Sequence, residues 1–262
     1  MNKLYIYPII LFLFLAMSGC VNREYNTATG RDDIMFVSTE SEIKMGRSIA
    51  ESIEKSPDID LDPDPLMTKR LEEIGRSIAS VSDRKEVSYT FRVVDKDDVN
   101  AFALPGGYIF VFRGLIEKVE SDDELASVIA HEVAHVVARH SVKRYQGGLG
   151  YTVLQILMVA TGAGATEARN TNAAIGQMVM SYSREDEALA DRMAIKYLKK
   201  AGYDPMAMLS FLKKMQEVHR DAPIRQYSSY RSHPMIADRI RMVKEELTGE
   251  VNFTDYMNKP VE

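Results

Sequence analysis

Apolar residues recur along this chain with two different periods, and the switches between them outline its elements. Ser38 can cap a helix on which Ile43, Ile49 and Ile53 share roughly one face, and Pro57 with the Asp/Pro cluster through Pro65 ends it. Leu71, Ile74 and Ile78 predict a second helix from about Leu66 to Ala79. The period then changes to two: Val87, Tyr89, Phe91 and Val93 alternate with Ser88, Thr90 and Arg92, which predicts a half-buried strand. Gly106-Gly107 opens another strand, Tyr108 to Phe112. A helix follows from about Ser121 to Tyr145, with Ser121 as cap and Glu124 as its capping-box partner. Further helices are predicted at about Met178 to Ala201, Pro205 to His219 and Pro234 to Leu247. The class implied is α+β: a mostly helical domain with a small sheet placed just before, and beside, the Ser121 helix.

Two stretches depart from this pattern. Leu4 to Met17 carries no charge, is too short for the roughly 20 residues of a membrane span, and ends in Ser18-Gly19-Cys20, as a secretory signal peptide does. The Leu-Ala-Met-Ser-Gly-Cys run resembles the bacterial lipobox. The expected organisation is therefore a signal peptide over 1–19, a lipidated Cys20 and polar tether over 20–37, one domain over 38–250, and a tail over 251–262. Structure is expected to begin at Ser38. Val21, which is not the aspartate of inner-membrane retention, favours the periplasmic face of the outer membrane. The second stretch, Tyr145 to Thr166, lacks charge but is broken by glycines such as Gly150 and Gly162, so a buried helix or interfacial loop is expected rather than a span.

At 45% hydrophobic and 27% charged the composition is ordinarily globular, and a net charge of −5 without a Lys/Arg cluster excludes nucleic acid as a main partner. Cys20 is the single cysteine, so no internal disulfide can form.

The chemistry concentrates in HEVAH, His131 to His135. Residues four apart share a helix face, so both imidazoles can hold one cation with Glu132 beside it, as in the HExxH zinc peptidases. A catalytic zinc site wants a third protein ligand. Ala138 and Ser141 stand where a metzincin needs Gly and His, and His140, about 140° further round an unbroken helix than His135, should face away as a structural residue. SREDEALAD, Ser183 to Asp191, offers the remaining candidates: Glu187 is preferred, because Asp191 shares its face and can orient a ligating histidine, while Glu185 and Asp186 compete on pattern alone.

With NAFALPGGYIFVFRGLI (Asn100 to Ile116), DELASVIAHEVAHVVARH (Asp123 to His140), SREDEALAD, AGYDP (Ala201 to Pro205) and SHP (Ser232 to Pro234), the chain resembles the HtpX, OMA and CAAX-prenyl-protease clan of membrane-associated zinc peptidases. The resemblance runs from about Glu40 to Arg241 and implies a minigluzincin-like zincin domain. It implies one Zn²⁺ per subunit on His131, His135 and Glu187, Glu132 as catalytic base, and Asp191 behind a ligand. Asn100 matches a family position near the substrate strand. His233 matches a histidine that approaches the metal, either closing the site or steadying the transition state. Leu189 departs from the glutamate often found there, which leaves Glu187 as the matching ligand. The implied function is a lipid-anchored zinc metalloendopeptidase acting on unfolded, unassembled or membrane-associated envelope proteins. The rival is an envelope chaperone or assembly factor that keeps the zinc fold for binding. An extended substrate is expected to add as a strand at an edge formed near Tyr108 to Phe112.

Overall fold

The structure, a computed structural model, describes residues 22–26, 30–55, 60–147, 182–221, 233 and 235–250. The expected signal peptide, Cys20, most of the Tyr145 to Thr166 stretch and the tail over 251–262 lie outside the described residues. No helix among the described residues is long and apolar enough to cross a membrane.

Strands β1 (Asn22–Asn26) and β2 (Arg31–Met35) form an antiparallel pair, so regular structure starts before Ser38, inside the segment expected to be a tether. Met35 of this pair is buried, and polar contacts tie the strands on, but no apolar periodicity betrays the pair in sequence. Lys143 Nζ lies 2.7 Å from Asp33 Oδ2, and Gln146 Oε1 accepts the backbone N–H groups of Phe36 and Val37 at 2.9 and 3.1 Å.

Helix α1 (Thr39–Glu54) begins as expected at Ser38, whose hydroxyl accepts the Ser41 N–H. Its buried stripe differs from the expected one. Glu42, Gly46 and Ala50 are buried and Ile49 is exposed. A Cβ on Gly46 would stand 1.8 Å from the Pro105 carbonyl oxygen, so only the bare backbone lets α1 approach this closely. The turn it meets, Pro105–Gly107, holds Gly106 at φ 75°. Helix α2 (Pro65–Val81) is capped by Asp64 and buries Leu71, Ile74 and Ile78 as predicted.

The sheet has three strands, β3 (Thr90–Val94), β4 (Ala101–Ala103) and β5 (Tyr108–Phe112), in the order β3-β5-β4. β5 runs parallel to β3, with Thr90 opposite Tyr108, and antiparallel to β4, with Phe102 opposite Phe110. The expected substrate edge near Tyr108 to Phe112 is thus corrected: β5 is the central strand. Its run from Ile109 to Phe112 is buried throughout, the signature of a strand covered on both faces. The outer side of β3 is occupied by residues 60–62, through Asp62 N–H to the Val93 carbonyl and Asp95 N–H to the Asp60 carbonyl. The edge that remains is β4, three residues and too short to show an alternation in sequence.

After α3 (Arg113–Lys118) comes α4 (Asp122–Val137), which carries HEVAH and is buried continuously from Glu124 to Val137. Ser121 caps it by accepting the Glu124 N–H, but the expected reciprocal bond is absent: the Glu124 carboxylate takes the Glu120 N–H and Lys214 Nζ, each at 2.8 Å. The helix does not run on to Tyr145. Arg139 adopts φ 57°, and a separate segment, α5, covers 140–147. Then follow α6 (Arg184–Ala201), with a Ser183/Asp186 capping box and a left-handed Gly202 at its end, α7 (Met206–Asp221) and α8 (Ile236–Thr248). The main core joins α2, β3, β4, β5, α4, α6 and α7, so α4 is a central helix packed on α6, α2, α7 and β4. The molecule is the mostly helical α+β domain that the pattern implied.

Candidate metal centre

α4 presents His131 and His135 on one face, and α6 crosses that face with Glu187 and, one turn later, Asp191. His233 enters from the short connection before α8. One ligand atom from each of His131, His135, Glu187 and His233 lies within 4.8 Å of every other, and all four residues are buried. The separations are 3.0 Å between the two α4 Nε2 atoms, 3.4 Å from His131 Nε2 to Glu187 Oε2, and 3.5 Å from His135 Nε2 to Glu187 Oε1. His233 Nδ1 stands 3.3 Å from His131 Nε2 and 3.0 Å from Glu187 Oε1. Four ligands at about 2.0 to 2.1 Å from a tetrahedral zinc would be roughly 3.3 Å apart, so the donor set fits that ion.

The unpaired atoms point the same way. Glu132 Oε2, Glu187 Oε2 and His233 Nε2 are buried without a hydrogen bond, although the Arg239 guanidinium lies 3.0 Å from Glu187 Oε2. Buried polar atoms are normally satisfied, and three exceptions at one point need a reason. The charge balance supplies it. Among the described residues, the carboxylates of Glu132, Glu187 and Asp191 outnumber the one guanidinium, of Arg239, that faces them, so the pocket favours a cation. Burial alone would raise the Glu187 carboxyl, yet His233 and Arg239 hold it well below its usual range. Burial and Arg239 oppose a charge on His131, but Asp191 outweighs them and its pKa rises to about 9.

Each α4 histidine is fixed from behind. Asp191 Oδ1 is 2.8 Å from His131 Nδ1, which directs Nε2 into the cluster. His135 Nδ1 faces His140 Nδ1 at 2.7 Å, and His140 Nε2 lies 3.3 Å from Asp186 Oδ1.

A sequence model of peptidase family M48 matches residues 65–247, which spans α2 to α8 and every residue of this cluster. The chain belongs to peptidase family M48. Among curated relatives, the M48 chain is 31% identical over 168 residues to the β-barrel assembly-enhancing protease of Escherichia coli strain K12, covering 60% of this chain and 34% of that protein. It is 33% identical over 194 residues to a putative β-barrel assembly-enhancing protease of Vibrio cholerae, covering 70% of this chain and 39% of the relative. It is 28% identical over 172 residues to the mitochondrial metalloendopeptidase OMA1 of Schizosaccharomyces pombe, covering 66% and 50%. The chain therefore spans about a third to a half of these relatives.

Within the M48 chain, the structure brings together His131, Glu132, His135, Glu187, Asp191 and His233. Glu132 Oε1 lies 3.4 Å from His233 Nε2. Of the two competitors to Glu187, Asp186 turns to His140 and to the Ser183 N–H instead, and Glu185 is not among the clustered residues. Asn100 is buried at the head of β4, where its carbonyl accepts the Phe112 N–H, and is not one of the clustered ligand residues. His140 is not among the clustered ligand residues, as expected of a residue turned from the metal, but it packs against the far side of His135. An unbroken helix does not predict that contact: Arg139 is left-handed where α4 ends, and residue 140 lies against His135. Two more residues were not singled out in sequence. Arg239 binds both Asp191 oxygens, at 2.9 and 2.7 Å, and an arginine on the helix after SHP carries no signal of its own. Tyr182 stacks on the His135 ring with centroids 3.7 Å apart, and nothing in a lone tyrosine before the SREDEALAD helix announces that.

Proposed function

We propose that this chain is a zinc metalloendopeptidase in which His131, His135 and Glu187 hold one Zn²⁺ and Glu132 is the catalytic base. The observation that carries this reading is the convergence of those donors beside a buried Glu132 oxygen with no hydrogen-bond partner. A zinc ion held there supplies Lewis acidity to a water and to the scissile carbonyl oxygen. The remaining steps fall to the protein. Glu132 accepts the proton of the attacking water at its free oxygen and delivers it to the leaving amine. Asp191, held by Arg239, keeps His131 in the tautomer that offers Nε2, and His140 does the corresponding service for His135. The ladder alternation turns the backbone groups of Ala101 away from β5, so an extended substrate can pair with β4 beside α4. Asn100, at the head of that strand, would steady the substrate backbone.

His233 is proposed as the gate. Its Nδ1 stands among the ligand atoms at the spacing of a fourth ligand, which supports the latent form over a residue that stands back to share oxyanion charge. The relatives named for β-barrel assembly support, for the finer reading, a role in quality control of unfolded or unassembled envelope proteins. The same name favours the chaperone alternative, in which the site binds without cutting. The expected lipid on Cys20 would anchor the domain at the periplasmic face of the outer membrane, and mass spectrometry of the mature N-terminus tests it. The deciding experiment is digestion of unfolded casein by mature protein with measured zinc content. Wild type should cut, and Glu132→Gln should keep zinc and lose at least about 100-fold in rate. Equal rates in both proteins would remove Glu132 from the mechanism, and zinc-loaded protein that binds casein without cutting it, in wild type and in His233→Ala alike, would leave the chaperone reading.

A further inference from the structure

Arg139, Lys143 and Arg144 stand in or just before α5, and the first two have a carboxylate each: Arg139 meets Glu42 and Lys143 meets Asp33. Arg144 has none. Its Nε and Nη1 are buried without a hydrogen bond, and its guanidinium carbon lies 3.6 Å from the centroid of the Tyr182 ring. Tyr182 is at the same time stacked on His135, with centroids 3.7 Å apart and planes 21° from parallel. Two groups so near one centroid cannot share a face, so the layers run His135, Tyr182, Arg144. A ring face supports the guanidinium but leaves its in-plane N–H groups unanswered. The acid at the start of α6 does not answer them, because Asp186 accepts the Ser183 N–H and faces His140. Buried donors without acceptors are costly, and neither metal binding nor the proton transfers account for these.

We propose that Arg144 binds a carboxylate of the substrate, an aspartate or glutamate side chain on the acyl side of the scissile bond, and so determines a preference for acidic residues there. The inference rests on the peptidase reading above. Its placement follows from β4. Ala101, at one end of that strand, lines the same cavity as Glu132, whereas Ala103, at the other, has its carbonyl held by Ser141 Oγ at 3.2 Å. Arg144 lies one helical turn beyond Ser141 on the same face of α5. A peptide paired with β4 therefore runs from Glu132, which serves the leaving amine, towards Tyr182 and Arg144, and its acyl side meets the guanidinium. Arg144 is only half-buried as a residue, so a substrate side chain reaches it from solvent. A planar fork held flat on a ring is set to take a carboxylate through paired N–H groups, and a neutral amide of the same shape leaves its charge unanswered.

The test uses the full mature protein loaded with zinc, a digest of unfolded proteins, and mass spectrometry of the cut sites. Aspartate or glutamate should occur at one fixed position on the acyl side at least about 10-fold more often than asparagine or glutamine. Arg144→Gln should erase that enrichment with zinc content unchanged, and Arg144→Glu should replace it with lysine and arginine. Arg144→Lys, a point charge without the fork, should keep part of it. If the resting enzyme cuts too slowly to map, the same series is made on His233→Ala. A second measurement avoids cleavage: zinc-loaded Glu132→Gln should bind a fluorescent hexapeptide with two central glutamates about 10-fold more tightly than its glutamine twin. Adding Arg144→Gln should make the two equal. Cutting without an acidic preference, or with one that survives Arg144→Gln, overturns the assignment and leaves the peptidase reading standing. Loss of zinc in Arg144→Gln also overturns it, since Arg144 would then serve only to support His135 through Tyr182. Arg144-dependent binding of the acidic peptide, with no cleavage by wild type or His233→Ala, keeps the assignment and overturns the peptidase reading.

Discussion

Two buried charge clusters flank the C-terminal half of α4, and they are built on opposite rules. At the C-terminal end, Glu42 is saturated: Arg84 NH1 and NH2 reach its two oxygens at 2.8 and 2.7 Å, Arg139 Nε lies 2.8 Å away, and the Gly106 N–H adds a fourth contact at 3.2 Å. Arg84 also donates to the Val136 carbonyl, a cation where the helix dipole favours one. At the HEVAH face, by contrast, carboxylate and imidazole atoms crowd together, and Glu132 Oε2 and His233 Nε2 are buried with no hydrogen bond. Buried charge is tolerated when its partners are complete, and incomplete partners mark a place kept for something else. The saturated cluster also serves the unsaturated one. It holds Arg139, whose turn aims His140 at His135, and it ties α1 to the turn that leads into β5.

This contrast breaks most visibly if one carboxylate is neutralised in each cluster. Glu42→Gln should destabilise the fold by about 3 to 5 kcal/mol, because Arg84 and Arg139 lose their buried counter-ion. Zinc bound per folded molecule should stay unchanged. Glu187→Gln should abolish stoichiometric zinc, while the zinc-free protein keeps its stability within about 1 kcal/mol, since Arg239 retains both oxygens of Asp191. Denaturant titration with and without chelator checks both. The distinction between the clusters fails if Glu42→Gln loses zinc selectively or if Glu187→Gln unfolds the apo protein.

His233 sharpens the unsaturated side. Placed as a fourth ligand, it holds the enzyme latent, and His233→Ala should raise casein cleavage with zinc content unchanged. If instead the residue shares oxyanion charge, the same substitution should cost about 10² to 10³ in turnover. Unchanged turnover contradicts both roles and makes His233 a structural residue.

How far the sequence discloses this architecture depends on which signal each residue leaves. HEVAH is legible because helical spacing puts both imidazoles on one face, whereas spacing pairs Glu187 with Asp191 but leaves Glu185 and Asp186 as competitors. Leu71, Ile74 and Ile78 are legible for the same reason. Glu42 is not, because a glutamate on a helix reads as exposed unless its arginine partners, 42 and 97 residues away, are known to fold against it. The packing face of α1 is hidden with it, since Gly46 marks a close approach that hydrophobicity cannot register. β4 leaves three residues of pattern, so the sequence points to its neighbour β5 as the edge. The contact of His140 with His135 is hidden because it follows a left-handed Arg139, a residue type with no particular taste for that region.

The link between the two clusters can be tested at His140 itself. His140→Asn removes the ring behind His135 Nδ1, and such supporting groups are worth about 10- to 100-fold in metal affinity. Competition with a chelator of known zinc affinity should show that loss, with folding otherwise intact. An unchanged zinc affinity would detach the Arg139 turn from the metal centre.

The smallest effect concerns a third ion pair, nearer the surface, where solvent screens what burial protects at Glu42. Asp83, just after α2, accepts Lys196 Nζ at 2.6 Å and the Tyr197 hydroxyl at 2.9 Å, joining α2 to α6. Burial pushes its carboxyl up, but those two bonds prevail and its pKa falls below the ordinary 3.8. The sign follows. A group whose folded pKa is depressed adds stability that is fully present above its unfolded value and is lost as pH falls through the folded one. The gain of wild type over Asp83→Asn should therefore be steady from about pH 7 to pH 5 and shrink below about pH 4. With Lys196 at 46% exposure, its size should stay under about 1 kcal/mol, several-fold less than Glu42→Gln. Denaturant midpoints of the two proteins at pH 7, 5 and 3.5 measure it. A difference that grows on acidification would mean that the folded carboxyl is raised, with desolvation stronger than Lys196 and Tyr197 together.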